Sequence, residues 1–193
     1  MTDLAQLSDI ENIRTLATGW IHRDTGSWSD LLNLFHPDGT IKLAWFEGLA
    51  KDFVEASRRM GETVLRSKHV IANPVITFAG ERALVETNAM IIVENSELDL
   101  GACAYNRFLD RVEKRDGTWR IAHRDSVYDF ATFSYPSGPV PVDKAVVHSF
   151  PREYAALAYV LVNSGYPVKG LYATRGSELE HSMREAGSRW LAG

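Results

Sequence analysis

A single cysteine, Cys103, stands among 193 residues. No intrachain disulfide can form, and no zinc site of paired thiolates can be built. Basic charge is in deficit, with 21 Lys and Arg against 25 Asp and Glu for a formal net charge of −4. A surface of that balance argues against nucleic acid and anionic membrane as partners, since both need a basic face. Seven prolines and 14 glycines are too few for a fibrous or disordered chain. No apolar run approaches the ~18 residues of a membrane helix, and Met1–Ile10 lacks the basic and apolar blocks of a signal peptide. The expectation is a cytoplasmic protein with neither membrane nor nucleic acid as partner. The chain also has no phosphate loop, no Gly-x-Gly-x-x-Gly run and no Gly-x-Ser-x-Gly elbow. Its six histidines never pair as His-x-x-x-His, so no cofactor and no metal are expected.

Hydrophobic residues make up 45%, and a chain of this length buries roughly 70% of its unfolded surface, enough for a core without staples. Ser8 and Glu11 have capping-box spacing. Ile10, Ile13, Leu16, Ala17, Trp20 and Ile21 recur at helical spacing, which predicts a first helix over about Ser8–Arg23. A short second helix carries Trp28, Leu31 and Leu34, and His36-Pro37-Asp38-Gly39 reads as a turn. After a strand over Thr40–Trp45 and a third helix around Phe53–Met60, the pattern becomes β. Strands are expected over His69–Phe78, Ala83–Val93, Ala102–Glu113 and Thr118–Tyr128, the last two joined at Asp116-Gly117, a pair suited to a type I′ turn. Helices first and long hairpin-joined strands after predict an α+β fold, with helices on one face of an antiparallel sheet. A Pro-rich crossing segment from Tyr135 to Pro141 leads to helices over Pro151–Val162 and Ser177–Leu191. The stripe Tyr154, Leu157, Ala158, Leu161 and Val162 must bury against something; the expected place is the outer surface of the first unit or a partner subunit.

Chemistry-bearing residues are isolated polar groups on apolar elements. Asp24 closes the first helix, where it could equally be a solvated helix end or the cap of the next one. His69 opens a strand and shares a face with Ile71 and Asn73; a hydrogen-bonded core histidine is the plain alternative. Arg124 lies late in the strand Trp119–Arg124. Parity cannot choose between His123 and Arg124 as the inward group, because one bulge exchanges them. Asn73 could bond a substrate oxygen or serve as a sheet amide. Trp20, Trp45, Phe46, Phe108 and Tyr128 could wall an apolar cavity or be ordinary core.

The segments Ile10–Arg14, Arg23–Trp28, Leu34–Gly39, Trp45–Gly48, Ser67–Pro74 and Arg107–Ile121, taken in order, resemble SnoaL-like proteins of the nuclear transport factor 2-like superfamily. The resemblance covers about residues 5–132. It implies a cone-shaped α+β barrel in residues 1–132, whose helices pack on a strongly curved antiparallel sheet, and a helical extension in residues 133–193. The pattern is most similar to cofactor-free lyases such as scytalone dehydratase, bile acid 7α-dehydratase and hexachlorocyclohexane dehydrochlorinase. Their Asp–His dyad falls on Asp24 and His69, and a pocket arginine of the latter two on Arg124. A Tyr or Lys that some place a turn before the aspartate falls at Gly19 or Trp20. The resemblance thus implies β-elimination, of the dehydratase type, on a hydrophobic cyclic or aromatic molecule. The alternatives are a double-bond isomerase using the same base, and a non-catalytic binding or scaffolding domain. It also implies a homo-oligomer, a dimer or trimer.

Overall fold

The computed structural model describes residues 4–193; Met1–Asp3 of the expected first unit lie outside them. A seven-stranded sheet curls into a half-barrel. Helices α1 (Leu4–Thr18), α2 (Ile21–Thr25) and α3 (Trp28–Asn33) come first, then β1 (Phe35–Leu43), β2 (Phe46–Leu49) and α4 (Ala50–Gly61). Strands β3 (Leu65–Ile71), β4 (Val75–Ala79), β5 (Arg82–Asn95), β6 (Leu100–Arg115) and β7 (Thr118–Ser134) follow, then α5 (Lys144–His148), α6 (Ala155–Asn163) and α7 (Glu178–Ala192). The order across the sheet is β2-β1-β7-β6-β5-β3, with β4 also on β5. Among the described residues β1–β7 is the one parallel pairing of two strands. This is the α+β cone that the sequence pattern and resemblance imply.

Several elements depart from expectation for local reasons. Ser8 lies inside α1 rather than at its cap. The expected first helix is two, broken at Gly19-Trp20. A Cβ on Gly19 would lie 2.6 Å from Leu34 Cδ2 and 3.0 Å from the Thr15 carbonyl oxygen, so the close approach of α3's end favours glycine, a poor helix former. The break re-aims α2 and turns Asp24 toward β3. His36–Gly39 is an irregular part of β1, where the pairing with β7 slips between Phe35 and Thr40, and an irregularity is where a strand tolerates Pro37. The strand expected over His69–Phe78 is two, because Pro74 offers no amide hydrogen to the ladder. Both halves still pair with β5, Ile71 opposite Ala89 and Val75 opposite Glu86. At the β6–β7 hairpin, Asp116 and Gly117 have φ of 50° and 76°, the two positive values that a type I′ turn needs.

Inward residues of the sheet meet the helices in two buried clusters. One joins Ile13, Leu16, Trp20 and Phe53 to Val85, Phe108, Val112 and Ile121. The other joins Leu157, Ala158 and Leu161 of α6 to Ala102, Ala104 and Tyr128. The stripe on α6 is therefore not on the cone's outer surface. It packs on the inner face of the sheet, where the small side chains of Ala102 and Ala104 leave room for it. The outer face takes α7 instead, held by a charge cluster: Glu180 bonds Arg107 at 2.7 Å and the Gly176 amide at 2.7 Å, and Arg184 reaches Glu86 at 2.7 Å. Among the described residues no helix is long and apolar enough to cross a membrane.

The dock of α7 is acid-sensitive. Burial pushes the Glu180 carboxyl up, but Arg107, the Gly176 amide and Arg184 outweigh it and hold the carboxyl at about 2, against an ordinary 4.5. A carboxylate with a depressed folded pKa stabilises above its unfolded value and loses that contribution as pH falls toward the folded one. Stability from this cluster is therefore whole above about pH 4.5 and fades toward pH 2. Urea melts at pH 7 and pH 3 will differ less in Glu180→Gln than in the unmodified protein. An equal difference in the two proteins refutes this role for Glu180.

Candidate active site

Two elements far apart in sequence bring Asp24 and His69 together. The carboxylate of Asp24, on α2, accepts from the His69 backbone amide at 2.7 Å through Oδ2, and Oδ1 lies 2.6 Å from His69 Nδ1. Both oxygens thus serve one residue, which fixes the ring's plane and leaves Nδ1 as the protonated nitrogen. The tautomer follows from this bonding pattern. Side-chain exposure is 1% for Asp24 and 5% for His69. Nε2 has no protein partner among the described residues, and the ring lines an internal cavity. Trp20 meets the imidazole edge-on at 5.9 Å.

Burial pushes the His69 pKa below 6.5; the Asp24 hydrogen bond opposes this, and the cations Arg23 and Arg124 add to it. Burial pushes Asp24 the other way, but the bonds to His69 and the neighbouring Arg23 charge hold it below 3.8. At neutral pH the pair is a neutral imidazole on a carboxylate. That is the state able to take a proton.

Arg124 is inward. An extra residue in β7, Ala122, shifts the register so that Val112 faces Ile121 while Arg111 faces His123 and Asp110 faces Arg124. The bulge sends His123 outward, between Thr40 Oγ1 and Asp125 Oδ2, each at 2.7 Å. Arg124 is 0% exposed and bidentate on Asp110 at 2.7 and 2.6 Å. Its guanidinium rests against a tilted pair of rings, Trp20 at 4.5 Å and Phe108 at 4.3 Å, which themselves lie 5.3 Å apart. Nη1 is buried without a partner.

The cavity at His69 measures about 40 Å³ and is walled by Trp20, Trp45, Phe108 and Tyr128 together with Arg23, Ser67, Leu157 and Leu161. As it stands it has room for a few waters, and a ring enters only when the wall opens. Three residues expected to wall the pocket or bind substrate do not line it. Arg124 is inward but wholly buried on Asp110, against the Trp20 and Phe108 rings and outside the cavity lining. Phe46 stands behind the wall, against Trp45 and Phe53 at 5.8 and 5.5 Å. Asn73 is exposed in the β3–β4 connection, because the break at Pro74 takes it off the strand face it would have shared with His69. Sequence reasoning missed Arg23, which bonds Ser67 Oγ at 2.7 Å and Met60 Sδ at 3.4 Å. With the first helix drawn unbroken, nothing singled it out. It also missed Leu157 and Leu161, although their i, i+4 spacing marked a buried stripe. Among the described residues no group of three His, Cys, Asp or Glu could hold a metal ion.

Among characterised proteins, the chain is similar to pea pathogenicity protein 2 of Fusarium vanettenii, 28% identical over 162 residues that cover 76% of this chain and 66% of that one. The chain thus spans about two thirds of that relative's length. Its fold matches a putative scytalone dehydratase from Novosphingobium aromaticivorans, with TM-score 0.60, 22% identity and coverage of 73% of this chain and 100% of that one. It also matches a hexachlorocyclohexane dehydrochlorinase from Novosphingobium barchaimii, with TM-score 0.62, 17% identity and coverage of 72% and 99%. Residues 5–125 match the model of the SnoaL-like domain, and the chain belongs to that family.

Proposed function

We propose that the protein is a cofactor-independent lyase that catalyses a dehydratase-type β-elimination on a hydrophobic cyclic or aromatic small molecule. The observation that carries this is the clamp of both Asp24 oxygens on His69, with the free Nε2 edge in a wall of apolar side chains. Nε2 removes a proton from the carbon next to an electron-withdrawing group. The C–H electron pair forms the new double bond, and the β-substituent leaves with the electrons of its own bond. Where that substituent is hydroxide, the proton on Nε2 returns to it and water is released. Asp24 stabilises the imidazolium formed between these steps, and Arg124, outside the cavity lining but near enough for its charge to act on His69, favours the developing oxyanion from a distance. The dehydratase and dehydrochlorinase among the similar structures are named for eliminations, which favours this outcome over isomerisation by the same base.

A panel of cyclic β-hydroxy and β-halo carbonyl compounds tests the reading by mass spectrometry. Loss of water or hydrogen halide in the presence of the protein is expected. A product of unchanged mass replaces elimination by isomerisation, and no turnover with any member leaves a binding domain.

The same reading includes self-association. The outer face of the sheet carries Tyr105 stacked on Phe130 at 4.2 Å, with Phe130 51%, Val70 52% and Ile92 38% exposed. Paired sheet faces would cover these side chains. Sedimentation velocity is expected to show a homo-oligomer that Tyr105→Lys with Phe130→Lys dissociates. A monomer at all concentrations refutes it.

A further inference from the structure

A second cavity, about 200 Å³, opens between α2, α4 and β3 on the other side of Arg23. Arg23, Met60, Ser67 and Val93 line both this vestibule and the cavity at His69, so the bridge from Arg23 to Ser67 and Met60 is the partition between them. Arg23 lacks a carboxylate of its own. Among the described residues no acidic oxygen comes within ion-pair distance of it; Asp24 lines the same vestibule, but both its oxygens are taken by His69. Its guanidinium is desolvated enough to pull its pKa to about 10 against the pull of Asp24, so it stays charged at neutral pH. Arg66 lines the same vestibule; among the described residues it bonds only the carbonyls of Thr63 and Leu65 and makes no ion pair either. Ser57 adds an independent sign: it is 2% exposed, its Oγ has no partner, and it lines the vestibule. Trp28 and Met60 supply an apolar flank. A half-buried cation without a counter-charge and a buried hydroxyl without a partner are costly, and an anion seated between them offsets both costs.

We propose that this vestibule is an anion subsite that takes the carboxylate of a ring-bearing acid on Arg23, Arg66 and Ser57, with the ring against Trp28 and Met60. Resting on the lyase reading above, this names the substrate class: an apolar carboxylic acid whose reacting carbon reaches His69 past Arg23. Moving the Arg23 bridge toward the bound carboxylate joins the two cavities and opens the way.

Calorimetric titration of the full chain with benzoate and with benzamide, its neutral isostere, tests the subsite without turnover. Benzoate is expected to bind at least tenfold more tightly than benzamide. Arg23→Gln and Arg66→Gln should each cut that preference three- to tenfold, and Ser57→Ala somewhat less. Arg66 is exposed, so its variant keeps the fold even where Arg23→Gln does not. His69→Ala should retain the preference, which separates failure of the base assignment from failure of the subsite. Equal affinity for the two probes, binding of neither, or a benzoate preference undiminished in both arginine variants overturns the proposal.

Discussion

Replacing His69 by alanine is expected to lower turnover by about 10²–10⁴-fold, the usual contribution of a positioned general base, while the fold survives. The imidazole touches Asp24 and the cavity wall, but its backbone amide keeps its bond to Asp24 Oδ2 in the variant. Asp24→Asn should cost nearly as much activity for a different reason. An amide offers one acceptor oxygen where the structure uses two, and its NH₂ group favours the wrong tautomer of the ring. Asp24→Ala adds a stability loss of about 1–3 kcal/mol, because a buried amide hydrogen is left unpaired. The acid limb of kcat/KM reports the free base. Burial and the two nearby arginines place it below the ordinary histidine value of 6.5. Activity is thus retained as pH falls through 6.5 and is lost only when the imidazole finally protonates. Stopped-time assays on the first accepted substrate read all three effects. Full turnover in His69→Ala, or an acid limb well above 6.5, sinks the assignment.

What the sequence made legible is tied to local chemistry. Asp116-Gly117 announced its hairpin because few residue pairs accept two positive φ values. The alternation of helices and then strands gave the fold class, since both periodicities are written over many residues. The pairing of Asp24 with His69 came from resemblance alone: residues 45 apart have no spacing rule to join them. Failures arose where one residue redirected a whole element. Gly19 broke the first helix for the sake of a contact with Leu34 that no local pattern encodes. Pro74 split a strand and carried Asn73 into solvent. Arg124 and His123 stayed undecided because the extra residue at Ala122 is visible only in the register against β6. Arg23 went unnoticed because its environment, Ser67 and Met60, comes from two elements distant from its own in sequence.

Breaking the ion pair beneath the site is expected to give the largest stability loss of any single charge. Side-chain exposure of Arg124 and Asp110 is 0% and 1%, and Asp110→Ala leaves a guanidinium charged and unpaired against two aromatic rings. Removal of one partner of such a pair costs about 3–5 kcal/mol, read as a lower urea midpoint at unchanged slope. The double variant Asp110→Leu with Arg124→Met should recover most of that loss, because an apolar pair of similar bulk carries no desolvation penalty. Its turnover should stay low all the same. Trp20 and Phe108 could stack on a methionine nearly as well, so packing alone does not demand an arginine here. What methionine cannot replace is the charge beside His69 and the unpaired Nη1 donor. A double variant that is stable and inactive therefore assigns the pair to the reaction. One that is stable and fully active would make Arg124 a packing residue, with His69 acting beside an inert neighbour.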